Sequence, residues 1–439
     1  MNTPAPKSAP ESTSESAPAW RPWLVCSIGA LSFCYAFFQR VAPSVMVTDL
    51  MRDFQASGAI LGNLSAFYFY AYAGLQLPVG ILVDRYGPRR VLTGGAVLAC
   101  IGSLLFASAD SLTQAYAGRL LIGAGSGCGF VSALTLAARW FPPRRFALVS
   151  GLIIMGGMSG GIFGQAPLAW AVAAMGWRGT MFAAAAVAVV LAVAIWLLVR
   201  DWPEPQGEAR AGSTATGAGI LAGVGRAVGM PQTWILAGAA AGLTAPLLAF
   251  GGLWGVPYMM VKHGLDRPVA AGAVSLILIG WAIGAPALGW LSDRLGRRKL
   301  PLIGATIVAA VSLAVLIFTP GLPLAAVNAL MVVHGAAAAG MVICFAAIRE
   351  LAPTAIAGTA VAFVNMSVTG MGAIFQPLLG WLLDLGWQGG MDGGARVYSV
   401  ANFEQTFLVL SGVGTVSILI ALLARETWCK PVGSTAEGR

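Results

Sequence analysis

The chain has 439 residues, 58% of them hydrophobic and 10% charged, with a formal net charge of +9. A soluble domain carries about 25% charged residues, so this composition excludes an ordinary water-soluble globule. The basic residues sit in short clusters between apolar runs, which argues against a nucleic-acid surface and fits the loops of a multi-span membrane protein.

Residues 1–20 open the chain as a tail rich in Pro, Ser and Ala, without the basic and apolar regions of a cleavable signal, and are expected to be disordered. Twelve apolar runs follow, at 22–47, 57–82, 91–109, 112–137, 146–173, 178–200, 232–261, 270–292, 301–319, 324–346, 355–383 and 404–425. Each is near the roughly 20 residues that a helix needs to span a bilayer, and none shows the two-residue alternation of a barrel strand. The fold class is therefore an all-α membrane protein with 12 transmembrane helices. Residues 21–200 form one six-helix half, 201–230 a polar linker, 231–428 the second half and 429–439 a tail.

With the N-terminus inside, nineteen Lys and Arg fall on inner loops and tails, and only Arg52, Arg178, Lys262, Arg267 and Arg396 on outer ones. The positive-inside rule then places both termini in the cytoplasm. The six cysteines lie in or beside apolar spans at no metal-ligand spacing, so neither a disulfide framework nor a metal site is expected, and no residue set calls for a cofactor.

The loop after span 2 reads GILVDRYGPRR and contains Gly80, Asp84, Arg85, Gly87, Arg89 and Arg90; the loop after span 8 repeats it as GWLSDRLGRRK, with Gly289, Asp293, Arg294, Gly296, Arg297 and Arg298. A second echo joins GIFGQAP from Gly161 to GAIFQP from Gly372, with Gln165 answering Gln376. Two halves related by duplication explain both. In the loop, glycine permits a tight turn and close helix approach, while aspartate can accept hydrogen bonds from a neighbouring helix N-terminus, so the motif suits a latch that forms in one conformation and breaks in another.

Together with RLLIGAGSG from Arg119 in span 4, these motifs make residues 20–428 resemble the major facilitator superfamily. The resemblance implies two six-helix bundles around a central cavity, a functional monomer and transport by rocker-switch alternating access. Spans 1, 4, 7 and 10 then line the cavity, helped by 2, 5, 8 and 11. The family's antiporter signature in span 5 needs a Gly-Pro where this chain has Gln165, which weakens a drug-exporter reading.

Arg40 lies within span 1, where an ionised arginine costs at least about 2.5 to 3.5 kcal/mol. At about 1.5 Å per residue, Arg40 and Arg119 both sit about 27 Å from the cytoplasmic face. A planar guanidinium suits a carboxylate or phosphate, and organic-anion and sugar-phosphate members of the family also carry an arginine in span 1. Snorkelling to the outer headgroups is the alternative for Arg40. For Arg119 the resemblance implies a role in organising the N-terminal bundle or assisting proton transfer, besides direct substrate contact. Span 7 offers no second arginine, so a carboxylate is favoured over a phosphoryl group; Trp254 and Tyr258, one turn apart there, are candidates for an aromatic wall.

Two polar stripes at helical spacing complete the candidate site: Ser65, Tyr68, Tyr72 and Gln76 in span 2, and Asn365, Thr369, Gly372 and Gln376 in span 11. His334 in span 10 is the candidate for proton coupling, since all Asp and Glu near the spans lie at span ends. The expected partners are a small-molecule substrate, a coupling proton or Na+, and membrane lipid. The expected function is uptake of a carboxylate-bearing organic solute by an inner-membrane permease of symporter type; an amino-acid or dipeptide transporter and a multidrug or metabolite exporter are the rivals. An enzyme would need a nucleophile with its base, or a metal set, inside the bundle, and the sequence provides neither.

Overall fold

The structure, a computed structural model, describes residues 20–203, 217–353 and 356–430. The tails expected at 1–20 and 429–439 lie almost entirely outside these residues. Among the described residues eleven helices are long and apolar enough to cross a membrane, and a bent pair, taken as one span, supplies a twelfth. An even number of crossings puts both described ends on one side, called here the terminal face; the other is the far face.

Spans 1, 3 and 4 are Arg21–Val45, Pro88–Ala107 and Leu112–Trp140. Span 2 joins Gly58–Gly74 to Gln76–Tyr86, and the axis bends 53° between Gly58–Gly74 and Pro78–Tyr86. Span 5 is Pro143–Phe163, continued after a break at Gln165 as far as Gly176, whose φ of +72 turns the chain into span 6 at 177–198. The second half repeats the plan: Pro231–His263, Arg267–Leu295, Lys299–Phe318, Leu324–Leu351, Ala357–Leu385 and Val400–Leu423 are spans 7 to 12. A further helix, Gly217–Val228, lies within the stretch read as the linker.

Local chemistry sets several ends. Ser57, Ser111 and Ser399 accept hydrogen bonds from Ile60, Gln114 and Asn402 backbone N–H groups as N-caps, and Pro88 and Pro231 occupy first turns, where their missing N–H costs nothing. Both loop-motif glycines take left-handed conformations, Gly87 at φ +82 and Gly296 at φ +62, which stop spans 2 and 8 at the turn that a side chain would strain. A two-stranded hairpin, Met391–Asp392 with Ala395–Arg396, lies in the far-face loop before span 12 and turns on Gly393 and Gly394.

The bundles meet along spans 2 and 11 and along spans 5 and 8. Close to the far face the first seam is a glycine zipper: a side chain on Gly58 would strike the Gly380 backbone, one on Gly62 the Gln376 backbone, and one on Gly372 the Phe69 ring. Toward the terminal face a side chain on Gly74 or Gly80 of span 2, or on Gly358 of span 11, would meet nothing within 4 Å among the described residues. The seam is thus closed at the far face and parts toward the terminal face.

Polar contacts reinforce the closed side. Asp49 pairs with Arg267 across the bundles at 2.6 Å. The Asp384 carboxylate, at the end of span 11, accepts from the Gly58 and Ala59 N–H groups at 2.9 and 2.8 Å, capping span 2 of the opposite bundle. Tyr398 and Arg396 donate to the same carboxylate.

Candidate functional site

Arg40 stands at the seam, buried, with its guanidinium carbon 4.2 Å from the Phe37 ring centroid and 4.8 Å from that of Tyr72. Phe69 and Tyr68 complete a ring cage at 5.8 and 5.9 Å. Desolvated cation–π contacts are worth up to about 2 kcal/mol each, so the two close rings offset most of the cost of placing the charge here. They leave its hydrogen-bonding capacity open. Nε has no partner, and no Asp or Glu pairs with Arg40 among the described residues.

Arg119, at similar depth, has other work. Its terminal nitrogens donate to the Gln39 carbonyl at 2.9 Å and the Ser65 carbonyl at 3.5 Å, tying span 4 to spans 1 and 2. The Tyr68 ring lies 5.2 Å away on one side, between the two arginines, and the Tyr68 hydroxyl donates to the Ala36 carbonyl. Below this, Gln39 donates to Tyr35 and Ser103 at 2.6 and 3.0 Å. Arg119 therefore ties three spans of the N-terminal bundle together and is almost wholly enclosed.

The structure separates Trp254 from Tyr258 instead of aligning them as one aromatic wall. Trp254 is fully buried and donates through Nε1 to the Gln376 carbonyl at 3.0 Å. Tyr258 donates to the Ile317 carbonyl at 2.9 Å, packs among Phe250, Phe403 and Phe407, and accepts from Lys262, which pairs with Glu404. A donor enclosed at this depth must find an acceptor, and each found a carbonyl of its own bundle.

The stripe in span 11 divides likewise. Thr369 bonds back to the Asn365 carbonyl at 3.1 Å, and Asn365 is half-buried beside the parted seam. Gln376 donates to the Leu248 carbonyl at 2.8 Å, while its counterpart Gln165 donates across the bundles to the Gly251 carbonyl at 3.1 Å. Both carbonyls belong to a π-helical stretch, Leu247–Trp254, whose wide turns leave backbone groups open to side-chain donors. In span 2, Tyr72 faces Arg40, and Gln76 falls at the bend.

His334 lies away from Arg40, on the side of span 10 facing span 9, where Nδ1 donates to the Ala309 carbonyl at 3.0 Å and Nε2 has no partner. The loop motifs also differ. In the second, Arg298 pairs with Asp293 at 2.6 Å and Glu350 at 2.7 Å; burial lowers its pKa, but these carboxylates outweigh that and hold it above the ordinary value. Glu426 accepts from the Arg298 backbone N–H at 2.6 Å. In the first, Arg89 is held through its backbone N–H by Asp201 at 2.8 Å, while Asp84, Arg85 and Arg90 are exposed. A side chain on Gly80 or Gly289 would meet no neighbour within 4 Å among the described residues, and Arg294 and Arg297 are exposed above the Trp290 and Trp428 rings.

Two bundles of six, closed on one face around an arginine that no carboxylate pairs among the described residues, are the architecture of a membrane carrier. The Major Facilitator Superfamily model matches residues 28–377 and 247–437. The chain belongs to the Major Facilitator Superfamily. Within it, the gallate transporter of Pseudomonas putida is 26% identical over 392 residues, 82% of this chain and 84% of that one. The gentisate transporter of Corynebacterium glutamicum is 26% identical over 381 residues, 85% of this chain and 84% of that one. Two other curated relatives align over less than half of their own length, 40% and 21%. A solved bacterial homolog of the human lysosomal transporter Spinster, inward-facing and unoccupied, superimposes with a TM-score of 0.75 at 17% identity, covering 93% of this chain and 97% of that one, which supports this superfamily fold.

Sequence reasoning singled out Arg40, Tyr68 and Tyr72, which the fold brings together. It missed Phe37, the ring closest to Arg40, and Trp281, whose buried indole N–H has no partner. An aromatic in an apolar span carries no mark that distinguishes packing from a site.

Proposed function

We propose that this protein carries a small organic carboxylate across a membrane by alternating access, with Arg40 as the carboxylate receptor. The observation that carries the reading is a seam-side guanidinium, caged by rings, that no carboxylate in the described residues neutralises. A carboxylate ligand would supply the missing acceptor in bidentate geometry. Two relatives named for hydroxybenzoate-type acids, gallate and gentisate, support the same class.

In this reading the termini face the cytoplasm of an inner membrane, the parted seam opens inward, and the physiological direction is uptake. The exposed Asp84 loop is the latch for the opposite state, closing on the terminal face when the far face opens. The boundaries at residues 200 and 231 mark the two rocking halves.

The test is thermal stabilisation of purified wild type and Arg40→Ala by monocarboxylates, sugar acids, sugar phosphates, amino acids and dipeptides. A ligand that binds the folded form raises Tm by mass action. Stabilisation by carboxylates in wild type alone is the expected outcome; equal stabilisation of both proteins by neutral or cationic compounds removes Arg40 from the site.

A further inference from the structure

Trp281 stands near the middle of span 8, Arg267–Leu295, on the C-terminal side of the seam. It is buried to 7% exposure, and its indole Nε1–H has no acceptor among the described residues. An enclosed N–H left unpaired forfeits its hydration with nothing in return, so in a native protein such a group calls for a reason. The buried cluster to which it belongs draws on both bundles: Met158 comes from the N-terminal one and Ala338 and Ala339 from its own, with Ile154, Phe37 and Leu247 packed against the cluster. Phe37 is the ring that lies against Arg40, and both Phe37 and Leu278, one turn before Trp281, face the same side of Gly161. Phe37 thus links Arg40 to the cluster that holds Trp281 across the seam. Beside Trp281, span 10 breaks at Ala339–Gly340, and irregular backbone at membrane depth is tolerated where it is buried in protein or lines a cavity.

We infer that Trp281 is the C-terminal half of the substrate site, and that the substrate is an aromatic carboxylate bearing a ring hydroxyl remote from the carboxylate. This rests on the reading of Arg40 as carboxylate receptor. Arg40 takes the carboxylate; Phe37, Met158 and the small side chains of Ala338 and Ala339 receive the flat ring; the Trp281 N–H donates to the hydroxyl oxygen. One ligand then contacts both bundles, and the indole gains the acceptor that the protein withholds. An aliphatic acid would satisfy Arg40 but leave the indole unpaired, which is how the site discriminates.

The experiment measures binding of benzoate, 4-methylbenzoate and 4-hydroxybenzoate to the purified full chain, as wild type, Trp281→Phe and Arg40→Ala. Phenylalanine keeps a ring but removes the donor. Wild type is expected to bind 4-hydroxybenzoate about tenfold more tightly than 4-methylbenzoate, the worth of one buried hydrogen bond. Trp281→Phe is expected to lose that tenfold while keeping its affinity for benzoate, and Arg40→Ala to lose all three acids. Equal loss of benzoate and 4-hydroxybenzoate in Trp281→Phe makes Trp281 a packing residue and overturns the inference. Should that variant fail to fold, equal wild-type affinities for the hydroxy and methyl acids overturn it alone. If wild type binds none of the acids, the carboxylate reading itself falls; if it binds them through Arg40 without discrimination, only the assignment of Trp281 does.

Discussion

Arg40 and Arg119 share a bundle and a depth, and what separates them is the set of atoms that take their N–H groups. Arg119 donates through its terminal nitrogens to the Gln39 and Ser65 carbonyls, although its Nε, like that of Arg40, has no partner among the described residues, whereas Arg40 is held by ring faces, which stabilise charge but accept no conventional hydrogen bond. That difference was illegible in the sequence, because backbone carbonyls belong to every residue type. The same holds for Trp254 and Tyr258: their spacing was correct, but the acceptors that claim them, at Gln376 and Ile317, are main-chain atoms of distant segments. A residue-scale electrostatic effect lies at the far-face edge of the N-terminal bundle, where Asp53 accepts from the Trp177 indole at 2.9 Å and pairs with Arg178. Burial pushes its pKa up, but these donors outweigh burial and hold it below the usual carboxylate range. A depressed folded value means stability that is full above the unfolded pKa and lost as pH falls through the folded one. Wild type is therefore expected to lose thermal stability on acidification below the ordinary carboxylate range, and Asp53→Asn to start lower at neutral pH and fall less. Parallel Tm-versus-pH curves for the two proteins would rule this out.

Among elements, the departures from straight helices gather at the seam. Span 2 bends at Leu75, span 5 breaks at Gln165, span 7 widens into a π turn and span 10 breaks at Gly340. The duplicated glutamines hinted at two of these places, and the loop glycines announced their turns outright, because a left-handed φ has a residue signature and a π turn has none. A carboxylate that caps a neighbouring helix, the role expected of the loop-motif aspartates, is seen in this structure at a different residue and on the other face. Asp384, at the end of span 11, caps span 2; Asp84, at the end of span 2, is exposed. The duplication relates spans 2 and 8 and spans 5 and 11, so these two acids are not repeat mates, yet each ends a helix of the same seam at opposite faces. Charge-assisted bonds contribute roughly 1.5 to 3 kcal/mol each, and the amide of Asp384→Asn retains only part of this. The substitution is expected to raise the far-face-open population about tenfold. Spin labels at exposed Asp110 and Pro320, on the far-face loops of the two bundles, read this as a new longer distance; an unchanged distribution would show that the cap does not hold the gate.

At the scale of the whole molecule, the span count and the duplication were legible because bilayer thickness fixes helix length and the loop motif recurs, while the link from Arg40 through Phe37 to the cluster that holds Trp281 exists only once two bundles meet. The charge inventory has a further consequence. No Asp or Glu occupies the middle of any span, and arginine keeps its proton throughout the physiological range, so the empty carrier cannot discharge Arg40. Arg119 stays enclosed within its own bundle in every state, so the difference lies at Arg40: when the seam closes on both sides, an empty protein encloses it as an unneutralised cation, and a loaded one encloses it as a neutral pair. Part of the about 2.5 to 3.5 kcal/mol cost of an ionised arginine at this depth is then present in the empty transition alone. If about 1.4 kcal/mol of it remains, the loaded carrier turns over roughly tenfold faster than the empty one. Proteoliposomes preloaded with labelled 4-hydroxybenzoate should therefore release it severalfold faster into buffer containing the unlabelled acid than into buffer without it, at equal pH on both sides. Equal efflux under the two conditions would mean that the empty carrier returns as readily as the loaded one, and that another group compensates the Arg40 charge.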